Sequence, residues 1–191
     1  VIGKPFILCV CLTLWAGGYM EKWQQEKEAC GKWMYARMLY HSGGYKAANE
    51  AYEKLYPVLR GRGAFLFEYG HSLHKSFLYG DSNKYLEEAC RYSSDPMVLN
   101  VMGKNYQEQH CYEQAEKFFY RAIHRLPGRI YPYYLLANLY AEPDFYKPDK
   151  LKEAADSVLT KEPKVHSTAI DEMRSEVREI LKRKDKCEIK K

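Results

Sequence analysis

Apolar positions recur along this chain at three-to-four spacing, and the whole arrangement returns about every 34 residues. Tyr45, Tyr79 and Tyr112 stand 34 and 33 residues apart. Each is followed at fixed offsets by a small residue (Ala48, Ser82, Ala115), a bulky one (Tyr52, Leu86, Phe119) and then Leu55, Ala89 or Ala122. Each is preceded, nine positions earlier, by Ala36, Gly70 or Gly103. Three-to-four spacing predicts amphipathic helices. Its recurrence predicts stacked helical hairpins, because one hairpin alone cannot bury its apolar face.

Four hairpins are expected: Lys32 to Arg60, Gly63 to Asp95, Pro96 to Pro127 and Tyr131 to Pro163. In the first, Ser42, Gly43 and Gly44 supply the turn. In the fourth, the connection from Glu142 to Asp149 is longer and carries Pro143 and Pro148. Pro127 and Pro163 stop the second helices of their hairpins, since proline cannot continue the hydrogen-bond ladder. Ile170, Met173, Val177, Ile180 and Leu181 then form an apolar stripe after a capping-box pair, Thr168 with Asp171. This predicts a final helix that covers the last hairpin. The segment from Arg183 onward is expected to fray.

The start of the chain has a different character. Phe6 to Met20 is almost wholly apolar, with Trp15, Tyr19 and Trp23 near its end. Three readings are open: a membrane helix trimmed at its start, a signal-peptide core between Lys4 and the small residues Ala16, Gly17 and Gly18, or a buried apolar helix. The membrane helix is preferred, because Tyr19 to Tyr40 continues as helix-forming sequence without a linker. The first residue, Val1, suggests a fragment or a processed product. The expected divisions are an apolar membrane-type segment at 1–22, repeats at 23–163, a capping helix at 164–184 and a charged tail at 185–191.

Composition adds bounds. Hydrophobic residues make up 46% and charged residues 29%, enough apolar content to fold. The 18 tyrosines fit packing between hairpins, each offering an apolar body with a polar tip. Net charge is +5, with basic residues spread along the chain and no nucleic-acid-binding signature, so no nucleic-acid partner is expected. The six cysteines show no CxxC spacing and read as buried free thiols. Gly61-Arg62-Gly63 lacks the lysine of a phosphate loop. No catalytic constellation has a local signature. His71 and His74 share a helix face without an evident third metal ligand. No enzyme activity, metal or cofactor is therefore expected.

The run Leu99-x-x-Met102-Gly103-x-x-Tyr106 followed by Tyr112-x-x-Ala115-x-x-x-Phe119-x-x-Ala122-x-x-x-x-Pro127 closely resembles the tetratricopeptide repeat. The resemblance spans about 32–163 and is weakest in the first and fourth hairpins. It implies an all-α solenoid whose first helices line a concave groove. Counting along those helices places Trp33, Arg37, Tyr40 and His41 there, then Phe67, His71, His74 and Lys75, then Asn100, Lys104 and Gln107, and finally Tyr134 and Asn138. This basic, aromatic and amide-rich set suits an acidic peptide or a glycan. Trp33 and Phe67 stand where a carboxylate clamp needs Lys and Asn, which disfavours chaperone-tail binding.

Further stretches resemble the C-terminal part of O-antigen ligase-type membrane proteins of Bacteroides and its relatives. They include Phe65 to Gly70, Asn100 to Tyr106, Arg125 to Tyr134 and Glu162 to Met173. That resemblance implies the repeat tail of a bacterial inner-membrane protein engaged in surface glycan assembly, held by residues 6–20, with the catalytic loop of the family outside this chain. The expected function is a non-catalytic interaction scaffold. Its alternative is a free-standing tetratricopeptide adaptor that binds a peptide partner and has no part in glycan transfer.

Overall fold

The computed structural model describes the backbone of residues 4–163 and 165–188, and the side chains of 18–163 and 165–184. Among these residues every regular element is helical: α1 (Lys4–His41), α2 (Tyr45–Leu59), α3 (Gly63–Lys75), α4 (Tyr79–Ala89), α5 (Pro96–Glu108), α6 (Tyr112–Arg125), α7 (Tyr131–Ala141), a 3-10 turn (Pro143–Phe145), α8 (Pro148–Thr160) and α9 (Thr168–Glu188). The three tyrosines that mark the period are the first residues of α2, α4 and α6.

The helices pair as α1 with α2, α3 with α4, α5 with α6 and α7 with α8. The small residues of the sequence pattern explain how. A Cβ on Gly70 would stand 2.7 Å from Leu86 Cγ, and one on Gly103 would enter the Phe119 ring. Absent side chains on the first helix thus admit the bulky residue of the second. Ser82 does more than stay small, since its hydroxyl donates to the Gly70 carbonyl at 2.7 Å and ties α4 to α3.

The turn inside a hairpin has a recurring backbone form. Gly43, Phe77 and His110 sit at equivalent positions of the first three hairpins, at φ 82°, 62° and 57°. The left-handed conformation costs glycine little, whereas Phe and His hold it against steric resistance.

Between hairpins, α1 touches α3, α3 touches α5 and α5 touches α7, so the first helices form a continuous layer. The second helices pack between successive first helices and contact each other far less, which leaves the first-helix layer on the inner, concave side. The core is correspondingly divided. Tyr52, Phe65, Leu66, Leu86 and Met102 belong to one cluster, and Phe119, Leu136, Tyr140, Leu151 and Val177 to another. α9 packs on both α7 and α8, with Val177 and Ile180 buried and Arg178, Glu179 and Lys182 outward.

Several expectations are corrected. α9 starts with Ser167 accepting the first turn's N–H groups at its carbonyl, so the capping pair Thr168 and Asp171 lies one residue inside the helix. Its backbone stays helical to Glu188, past the point where fraying is expected. Cys111 is exposed rather than buried, and Cys30 and Cys90 are half-buried. Side chains of the apolar run before residue 18 lie outside the described residues, as do those of the charged tail from residue 185. Among the described residues no helix is long and apolar enough to cross a membrane.

Candidate functional site

The concave face is built by one side of α1, α3, α5 and α7, and its side chains are linked from hairpin to hairpin. Trp33 Nε1 donates to Glu68 at 2.7 Å, and the Arg37 guanidinium pairs with the same carboxylate at 3.1 Å while lying over the Trp33 ring. Tyr40 and His71 share a 2.6 Å hydrogen bond through the hydroxyl and Nδ1. Phe67 stacks on His71 at 5.7 Å, and His71 stacks on His74 at 5.8 Å. His41 stands exposed, edge-on to Tyr40.

His74 belongs to the seam between hairpins rather than to the open face. It is 8% exposed, and its Nδ1 lies 2.7 Å from Asn105 Oδ1. An amide oxygen only accepts, so Nδ1 carries the proton. The Asn105 amide in turn donates to Ser82 Oγ at 2.8 Å and to Asn83 Oδ1 at 2.7 Å. Every polar position of this buried Asn is thus used, which rigidifies the seam.

The remaining candidates divide. Lys75 is exposed and Lys104 half-buried, and neither forms an ion pair among the described residues. Burial, and then the charge of Lys75, lowers the Lys104 pKa, with Glu108 opposing. Burial, with His74, Lys75 and Lys104 nearby, pushes His71 down to about 4, so the ring is neutral at neutral pH. Gln107 donates to Glu142 at 3.0 Å and thereby bridges α5 to the end of the fourth hairpin's first helix. The Tyr134 hydroxyl donates to Glu176 of α9, and Asn138 donates to the Tyr134 carbonyl at 2.9 Å. Asn100 is buried, at 2% exposure, and its side-chain oxygen has no partner.

The structure therefore brings Tyr40, Phe67, His71, Lys75 and Lys104 into one neighbourhood, and keeps Tyr134 and Asn138 apart beside α9. Arg37 is neutralised by Glu68, and Asn100 and His74 are withdrawn from the surface. Three features escape the sequence pattern. Glu68 serves Trp33, Arg37 and, at 3.4 Å, the Tyr52 hydroxyl. Glu116 collects Tyr140, Lys147 and Lys150 within 3.3 Å. A cleft of about 600 Å³ opens between Leu126 to Tyr131 and the Pro163 to Met173 segment. Exposed Val165 at its rim is the one local hint, since a loop valine has no periodic reason to be there.

Neither protein-family models nor curated proteins match the chain. Solved structures do. A fragment of MamA from Desulfovibrio magneticus RS-1 aligns at 17% identity over 78% of this chain and 76% of its own, with a TM-score of 0.60. A MamA crystal structure aligns at 17% identity over 82% and 90%, with a TM-score of 0.62. PilF of Pseudomonas aeruginosa aligns at 16% identity over 88% and 82%, also at 0.62. No O-antigen ligase is among these likenesses, and that resemblance gains no support from them. The likeness to MamA and PilF, together with the hairpins described above, gives this chain the tetratricopeptide-repeat fold.

Proposed function

We propose that the chain is a non-catalytic adaptor that binds an acidic, extended segment of a partner protein on its concave face. The fold supports protein interaction as the general role, since it presents a layer of parallel first helices as a surface. The observation that carries the finer reading is the pair Lys75 and Lys104. These cations stand beside the neutral His71 ring and the Phe67 face, without an ion-pair partner among the described residues. Arg37 on the same side is already paired with Glu68. A carboxylate arriving at Lys104 would relieve the repulsion from Lys75 and replace the water that burial removes. The aromatic neighbours offer a platform for an apolar residue next to that carboxylate.

Selection from a displayed peptide library tests this directly. The chain should enrich peptides with Asp or Glu beside an aromatic or aliphatic residue. The doubly substituted Lys75→Gln, Lys104→Met protein should lose those peptides while keeping its melting temperature, because Lys75 is exposed and the burial that lowers the Lys104 pKa disfavours its charge rather than its stem. Enrichment of basic peptides, or identical enrichment by both proteins, would overturn the reading.

A further inference from the structure

The two ends of the solenoid are finished differently. α9 closes the C-terminal end and turns Arg178, Glu179 and Lys182 outward. At the N-terminal end, α1 instead presents large apolar side chains: Met20 (59% exposed), Trp23 (48%), Met34 (56%), Tyr35 (60%) and Met38 (67%). They share one helix face with Gln24, Lys27 and Gly31. Ala29 and Ala36, which are buried against the first hairpin, lie about half a turn away on the opposite face.

The register of the repeat says what this face is. Gly31, Met34 and Met38 are equivalent to Phe65, Glu68 and Ser72 in α3, to Val98, Val101 and Asn105 in α5, and to Pro132, Leu135 and Leu139 in α7. All of those except the half-buried Glu68 are buried. Their contacts run to the preceding hairpin: Phe65 meets Trp33 and Tyr52, Glu68 meets Trp33 and Arg37, and Asn105 meets His74 and Asn83. From Gly31 to Met38 the exposed face of α1 is therefore a stacking surface of the same kind as the three internal ones, which no hairpin among the described residues covers, and Met20 to Lys27 continue its stripe toward the start of the helix.

We infer that this face pairs with the same face of a second copy of the chain, the two α1 helices running antiparallel about a two-fold axis near residue 29. The spacing along the stripe is self-complementary. Residues 20, 23, 24 and 27 on one side of position 29 mirror 38, 35, 34 and 31 on the other. Reversing one helix sets Met20 against Met38 and Lys27 against Gly31. On the flanks it sets Trp23 beside Met34 and Gln24 beside Tyr35. An isologous interface requires this kind of reciprocity. A Cβ at Gly31 would meet nothing within 4 Å in the single chain, so the partner's Lys27 stem has room to cross there with its ammonium reaching water. The five large apolar side chains leave on the order of 600 Å² exposed, which with Gln24 and Lys27 approaches the ~800 Å² per partner of a stable interface. Head-to-tail stacking is disfavoured by the charged outer face of α9.

Light scattering on the full chain, over a range of concentrations, reads the outcome. The expected mass is twice the 22.5 kDa of one chain. Met34→Glu with Met38→Glu should yield the single-chain mass and melt where the unsubstituted chain melts when diluted enough to dissociate, because both side chains are exposed in the single chain and only the stabilisation by association is lost. Met20→Lys and Met38→Glu, each weakening the dimer alone by roughly tenfold or more, should restore it when the two proteins are mixed. A parallel pairing, which insertion of both 6–20 runs into one membrane would demand, sets position 20 against 20 and 38 against 38, so the mixed variants form no Lys–Glu pair and recover no more dimer than either variant mixed with the unsubstituted chain, whereas antiparallel pairing recovers more. A single-chain mass at about 100 µM, a dimer that survives the Met34 and Met38 substitutions, or failure of the mixture to recover would each overturn the inference.

Discussion

Gly103 has no side chain because Phe119 fills the space where one would sit. Gly103→Ala therefore forces the ring to move in a packed seam. The gain in helix propensity, about 1 kcal/mol, is outweighed by overpacking of about 2 kcal/mol, for a net loss of about 1 kcal/mol. Chemical denaturation should show the midpoint fall at constant m-value. Phe77 gives the opposite sign. It is 77% exposed, so little packing is at stake, yet its backbone is left-handed at φ 62°. Phe77→Gly should stabilise the chain by about 1 kcal/mol by removing that strain, read as a higher melting temperature. The equivalent position of the first hairpin already holds Gly43.

The seam between α1, α3 and α5 carries a pH dependence. His71 is held at about 4, chiefly by burial, against an ordinary value of 6.5. Burial lowers His74 as well. A histidine whose folded pKa is depressed contributes its full stability above the unfolded pKa and loses it as pH falls toward the folded one, because the unfolded chain takes the proton first. Melting temperature should therefore decline between about pH 6.5 and pH 4. His71→Asn keeps a polar atom near Tyr40 but cannot charge, so it should flatten this decline, with His74 accounting for the remainder. A parallel decline in both proteins would place the acid sensitivity elsewhere.

The elements also show what a single sequence reveals and what it withholds. Hairpin pairing is legible because it rests on size: Ala48, Ser82 and Ala115 are small, and Tyr52, Leu86 and Phe119 are large, at spacings fixed by helix geometry. The polar seams are not legible, because Asn105 inside an apolar period reads as a solvated position. Its partners His74, Ser82 and Asn83 are 22 to 31 residues away and become neighbours only through stacking. The same blindness puts His74 and Asn100 in the open groove. Both lie on the border between groove and seam, where one turn of counting cannot decide. Arg37 reads as a free cation for a related reason, since Glu68 lies one repeat further on.

At the scale of the whole molecule, four hairpins hold their first helices in one layer, and that layer places Lys75 and Lys104 side by side from α3 and α5. Neither hairpin alone contains this juxtaposition; it depends on the stacking of the second on the third. The most direct measurement is amide hydrogen exchange with and without an acidic peptide enriched by the chain. Binding between Lys75 and Lys104 should add protection in 63–75 and 96–108, the spans of α3 and α5, and leave α4 and α6 unchanged. Protection confined to α4 and α6, or to the cleft at 126–131 and 165–173, would contradict it.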